Sequence, residues 1–126
     1  MKLRIHKNSI RLRLSQPEVD KIGQGQDITE TLETGLGWEN DFSYCLMPME
    51  YCQDIGAEFE QNTLKIYLPK NQAEAWANSD RVGITHVTGN RITILIEKDF
   101  QCLHKRPGED ESQNFSHPLA DEQSTK

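Results

Sequence analysis

Three kinds of chemistry lie within reach of the residue types in this 126-residue chain. Cys102, His104 and His117, joined by Asp110 or a neighbouring acid, offer soft and hard metal ligands near one end. Their spacing, C-x-H and then a distant histidine, matches no compact zinc motif, and nothing between them forces the ligands to converge. Burial of Cys102 beside Phe100 and Leu103 explains that residue more simply, so neither metal nor other cofactor is expected. The same thiol as a nucleophile needs a base and an electropositive setting. His104, Lys105 and Arg106 are close in sequence, but extended backbone sends alternate side chains to opposite faces. The step from Cys102 to Arg106 is also too short for the phosphate loop of cysteine phosphatases.

The second kind is anion binding. Lys2, Arg4, Lys7, Arg11 and Arg13 crowd the segment Met1 to Leu14, which contains no acid. The third is charge docking, for which GEDES, with Glu109, Asp110 and Glu111, supplies the opposite sign. Other candidates are weaker. GQGQD at Gly23 to Asp27 follows a helix instead of opening one, so it reads as a helix end and not a phosphate loop. Trp38, Phe42 and Tyr44 offer stacking surfaces, but alternation at Phe42 and Tyr44 reads as core. No Ser-His-Asp set or carboxylate pair follows from spacing.

The elements that must position these residues form two similar runs. KLRIHKNSIRLRL and AEFEQNTLKIYL each alternate, break at a polar turn holding Asn8 or Asn62, and alternate again. A short helix follows each. Ser15 and Glu18 have capping-box spacing with Pro17 in the first turn, and Gly23 is expected to stop that helix. KNQAEAWAN forms the second, with Ala73 and Trp76 toward the sheet. Strands are expected over 27–34 and 42–47 after the first helix, and over 81–87 and 91–96 after the second. Pro48 to Gly56 is expected to be the joining loop. The fold class is α+β: an antiparallel sheet or split barrel made of two strand-strand-helix-strand-strand units, an internal repeat of 2–47 and 56–100. Residues 1–106 form the domain, and 107–126 an acidic C-terminal segment whose first part docks and whose last residues are disordered.

A two-residue turn at Lys7 and Asn8 fixes the register of the first hairpin. Ile5 then faces Ile10, and Leu3 faces Leu12, on the core side. On the other side Arg4 lies across from Arg11, and Lys2 across from Arg13. Like charges so opposed cost up to roughly 1 kcal/mol per pair. In the second hairpin Glu58 instead faces Lys65. The repelling face is either simply solvated and screened or covered by an anionic group, of which GEDES is the nearest source.

Composition narrows the classes. With 14 bases against 20 acids the net charge is −6, which argues against general nucleic-acid binding. At 35% hydrophobic residues a core forms only if they are well patterned. No segment reaches membrane-span length, and MKLRIHKN lacks a secretion signal, so the bacterial cytoplasm is the expected location. Cys45, Cys52 and Cys102 are expected as reduced thiols.

The segments SIRLRLSQPEV, AEAWANSDRVG and EKDFQCLHKRPGEDES followed by NF-x-x-P resemble a small bacterial family of unknown function. The resemblance covers most of the chain and implies no activity. Arg11, Arg13, Cys102, Arg106, Glu109, Asp110 and Glu111 match the family pattern. Ser116-His117-Pro118 departs from its Pro-Asn-Pro, which weakens His117 as a ligand.

The reading is a non-enzymatic binding or assembly module. Its C-terminal motif docks on the charge of its own chain, a homodimer mate or another protein, with Arg106 bending back to an acid. Two alternatives stand beside it: an enzyme or metal-dependent protein centred on Cys102, His104 and the acidic triad, and an anion or nucleotide sensor using Arg4, Arg11 and Arg13.

Overall fold

The computed structural model describes residues 1–100. Strands β1 (Lys2–His6) and β2 (Ser9–Leu14) form a hairpin, helix α1 (Gln16–Gly23) follows, and β3 (Ile28–Leu32) and β4 (Phe42–Met49) complete the first half. The second half runs β5 (Gly56–Glu60), β6 (Thr63–Pro69), α2 (Lys70–Ala77), β7 (Gly83–Val87) and β8 (Thr93–Lys98). Elements starting at Lys2, Ser9 and Gln16 recur from Gly56, Thr63 and Lys70, a constant offset of 54 residues. Both hairpins turn through left-handed backbone, at Lys7 (φ 51°) and at Gln61 and Asn62 (φ 53° and 59°). The expected register holds in both: Arg4 opposes Arg11, and Glu58 opposes Lys65.

The antiparallel sheet or split barrel expected from the sequence is corrected. Among the described residues there are two open four-stranded sheets, ordered β1-β2-β8-β7 and β3-β4-β6-β5. Their central pairs, β2 with β8 and β4 with β6, are parallel, so both sheets are mixed. Each sheet takes one hairpin from each half of the chain. Exchanging the halves turns one strand order into the other. Alternation and turns specify a hairpin locally, but which hairpin lies beside which is decided by distant contacts.

Both sheets and both helices feed one core. Leu12, Leu14, Ile94 and Ile96 from the first sheet are fully buried, as are Leu46, Ile66 and Leu68 from the second. Val19 and Ile22 of α1 and Ala73 and Trp76 of α2 join them. Ile5 departs from expectation: it points to the core side at the end of edge strand β1, yet is 56% exposed. The helices meet at their C-terminal ends, at corresponding positions. A Cβ on Gly23 would lie 2.5 Å from that of Ala77, so glycine there permits close approach. The left-handed step after the helix falls instead on Gly25, at φ 83°.

Met1 ties β1 to the other elements of its half. Its amine lies 2.5 Å from Glu18 Oε2 and 3.0 Å from Glu30 Oε2, and the Tyr44 hydroxyl donates to its carbonyl at 2.9 Å. Glu18 Oε1 meanwhile accepts from the Ser15 N–H at 2.8 Å, completing the capping box expected at the start of α1. Burial alone would lower the amine pKa, but hydrogen bonds and charge from the two carboxylates outweigh it and raise the value. Burial likewise opposes ionisation of Glu18, and hydrogen bonds from the amine and Ser15 overcome it, lowering that pKa.

Candidate functional site

Alternation along β1 and β2 sends Lys2, Arg4, Arg11 and Arg13 to the face away from the core. Arg4 stands beside Arg11 and Lys2 beside Arg13, so the hairpin presents like charges in two adjacent rows. The third strand supplies what the hairpin lacks. β8 runs parallel to β2 and places Leu95 next to Arg11 and Glu97 next to Arg13.

Glu97 binds both arginines. Its Oε1 accepts from Arg11 Nε at 2.9 Å and Arg13 Nε at 3.1 Å, and its Oε2 accepts from Arg11 Nη2 at 3.3 Å. The Arg11 contact is bidentate, the geometry that a planar guanidinium offers a carboxylate. Burial would raise the Glu97 pKa, but hydrogen bonds and charge from Arg11 and Arg13 lower it overall. Lys2 Nζ lies 2.9 Å from Asp99 Oδ2 at the same end. Beside the two explanations expected from sequence, solvation or an anionic cover, the fold supplies a third. The hairpin has no acid, but the sheet does.

Arg4 is the remaining cation. It makes no ion pair or side-chain hydrogen bond among the described residues. With His6, Ser9, Arg11, Thr93 and Leu95 it borders a shallow depression of about 310 Å³. Lys2, Arg4, Arg11 and Arg13 face the two carboxylates of Glu97 and Asp99, leaving a positive surplus centred on Arg4. Such a surface can hold a carboxylate or phosphate over the apolar floor of Leu95.

Of the residues predicted from sequence, Arg4, Arg11 and Arg13 come together. Cys102, His104, Arg106, Glu109, Asp110, Glu111 and His117 lie outside the described residues. Phe100, expected beside a buried Cys102, is 64% exposed at the end of the described residues. Among the described residues no group of three or more His, Cys, Asp and Glu is placed to hold a metal ion. Cys45 is buried, and burial followed by the charge of Asp27 pushes its thiol pKa up. Trp38 is 83% exposed, while Phe42 and Tyr44 pack against the core with ring centroids 6.1 Å apart. Glu58 stands across from Lys65 as expected, but the two form no ion pair among the described residues. Lys65 reaches diagonally to Glu60 at 3.7 Å, and Glu58 accepts from the Tyr67 hydroxyl.

Sequence reasoning missed Glu97 and Asp99. The signal was present in RITILIEKD, where Glu97 alternates with Ile94 and Ile96 and so faces away from the core. What was missing was the strand beside it. No helix of the described residues is long and apolar enough to cross a membrane.

No curated protein and no solved structure matches the chain. A family profile does match, over residues 1–119, a span that takes in the basic face, both halves and the acidic segment. The chain belongs to the family of unknown function DUF7009.

Proposed function

We propose that the protein is a non-enzymatic binding or assembly module. Its basic sheet face receives a carboxylate-rich segment, and the occupant is residues 109–111 of the same chain or of a second copy. The observation that carries this reading is Arg4: a guanidinium beside Arg11, unpaired among the described residues, at the edge of an apolar-floored depression. Charge complementarity supports the occupant, since Glu109, Asp110 and Glu111 are consecutive acids. Chain length supports it as well. Asp99 donates its N–H to the Leu14 carbonyl, so the chain leaves the sheet at the end of β2. The depression lies around Arg11 and Leu95, about four residues back along β8 or roughly 13 Å at strand rise. The nine residue steps from Phe100 to Glu109 reach up to about 30 Å when extended. Free Cys45 and Cys52 fit a reducing cytoplasm. The 54-residue offset and the exchangeable strand orders support an internal duplication.

Chymotrypsin cleavage after Phe100 and Leu103, which the charge-reversal variants leave unaltered, tests the docking. Arg4→Glu is expected to speed cleavage about tenfold at low salt, the size of one charge-assisted contact of about 1.4 kcal/mol. Glu109→Arg with Asp110→Arg is expected to restore protection in the Arg4→Glu background. Protection that rises with protein concentration assigns the contact to two copies. Equal cleavage rates in wild type and Arg4→Glu refute the reading.

A further inference from the structure

The two halves differ at one corresponding place. In the first half, Met1 sits between Glu18 of α1 and Glu30 of β3. The 54-residue offset carries Met1 to Ile55 and Glu18 to Gln72. Strand pairing carries Glu30 to His86: Ile28 pairs with Leu46 and Ile84 with Ile96, and Glu30 and His86 follow two residues on, facing Tyr44 and Ile94. Ile55, Gln72 and His86 all border one cavity of about 350 Å³. Where the first half encloses an amine between two carboxylates, the second half has an open cleft with neither.

The chemistry of the cleft is the reverse of its counterpart. The carboxylates of Glu18 and Glu30 are replaced by the amide of Gln72 and the imidazole of His86, and Arg81 is added to the wall. Arg81 is held in place by its own backbone, its Nε donating to the Gly83 carbonyl at 3.1 Å and its N–H to Ser79 Oγ at 3.1 Å. It makes no ion pair among the described residues. Asp54 is the acid in the lining. Ile55, Trp76 and Ile84, all buried, supply the apolar wall.

We propose that this cleft is a binding site for a small organic carboxylate. Arg81 and Gln72 take the carboxylate, and a short apolar or aromatic body lies against Trp76 and Ile84. A volume of about 350 Å³ is at the small end of ligand pockets, which are mostly apolar with a few convergent polar groups. Asp54 gives a place for an α-ammonium, so simple carboxylates and amino acids share the recognised group. This site lies apart from the Arg4 face, and neither depends on the other.

Trp76 supplies the readout. Trp38 is exposed and outside the cleft, so in full-length Trp38→Phe the indole emission reports Trp76 alone. Phenylacetate, L-phenylalanine, phenethylamine and inorganic phosphate are titrated in turn. Saturable response to phenylacetate or phenylalanine, with none to phenethylamine, is expected. Phenylalanine binding more tightly than phenylacetate assigns Asp54 to the ammonium; equal binding assigns the site to carboxylates alone. Arg81→Gln is expected to weaken binding at least about tenfold, as loss of a charge-assisted contact does. The double change Gln72→Glu with His86→Glu rebuilds the first-half arrangement and is expected to exchange preference from phenylacetate to phenethylamine. The proposal is overturned by no saturable response to either carboxylate, by an Arg81→Gln affinity equal to wild type, or by phosphate binding as well as both.

Discussion

Hairpins β1–β2 and β5–β6 share turn position and register, yet their outer faces carry opposite charge logic. In β1–β2, Arg4 opposes Arg11; at the corresponding positions of β5–β6, Glu58 opposes Lys65. The difference is resolved outside the hairpin. Beside Arg13 the parallel third strand places Glu97, whereas beside Tyr67 it places Met47. A strand pair that looks frustrated alone can be relieved by the sheet it joins. Local charge repulsion is therefore a question about the next strand before it is a question about a ligand.

The largest expected effect tests whether the two hairpins are as alike inside as their registers imply. Leu12 and Ile66 occupy corresponding positions and are both fully buried. Leu12→Ala and Ile66→Ala are each expected to cost about 2–5 kcal/mol in urea unfolding. The two costs should agree within about 2 kcal/mol, the spread that partial relaxation produces between sites. A gap of several kcal/mol would show that the correspondence stops at topology.

The inner faces were the part most open to sequence reading. Leu12, Leu14, Ile66, Leu68, Ile94 and Ile96 fall at alternate positions of their strands, and the structure buries all six. Trp76 followed from helical spacing after Pro69, because its face must meet a sheet. The sheet partners were hidden. Ile94 pairs with Ile10 across most of the chain, and no local signal favours a parallel neighbour over an antiparallel one. That single gap concealed Glu97, and with it the real setting of Arg11 and Arg13. The second-half cleft was hidden for the same reason, since Gln72, Arg81 and His86 are unremarkable until α2 and β7 are folded together.

Glu97→Gln is the next effect in size. It leaves Arg11 and Arg13 adjacent without their shared charge and weakens three hydrogen bonds. The expected loss is about 1.5–3 kcal/mol, against less than about 1.5 kcal/mol for Met47→Leu at the matching site. The sign with pH is fixed by the lowered pKa of Glu97. Its contribution is complete above its ordinary value of 4.5 and is lost as pH falls through the lower folded value. The difference between wild type and Glu97→Gln should therefore shrink in acid. A constant difference down to the acid limb would assign the effect to packing.

Smaller still is Glu18→Gln, which separates the filled and open ends of the two halves. Gln72 already stands at the matching position beside the cleft, so the change makes the first half resemble the second. A loss of about 1 kcal/mol is expected, from the weakened cap of α1 and the lost ion pair with the Met1 amine. The amine pKa is raised, so its share is present below 8.0 and lost as pH rises through the folded value. The Glu18 pKa is lowered, so its share is present above 4.5 and lost as pH falls. The full difference should appear between those two pH values and narrow outside them. Melting temperatures across that range read it directly.

The smallest effect writes the charge pattern of one hairpin onto the other. Glu58→Arg places an arginine across from Lys65, as Arg4 stands across from Arg11, but with Met47 where Glu97 would be. It also removes the acceptor of the Tyr67 hydroxyl. Both side chains reach water, so the expected cost at low salt is about 0.5–1 kcal/mol. Adding Lys65→Glu restores an opposite pair and should recover most of that loss, while 1 M salt, with a screening length of about 3 Å, should remove the charge-dependent part. Repeating the change with Met47→Glu supplies the missing third-strand acid. If relief comes from the neighbouring strand, Met47→Glu recovers stability in the Glu58→Arg background and does less for the wild type, where Glu58 already stands across from Lys65. If Met47→Glu destabilises both backgrounds equally, Glu97 works through its own packing and not through its place beside a basic hairpin.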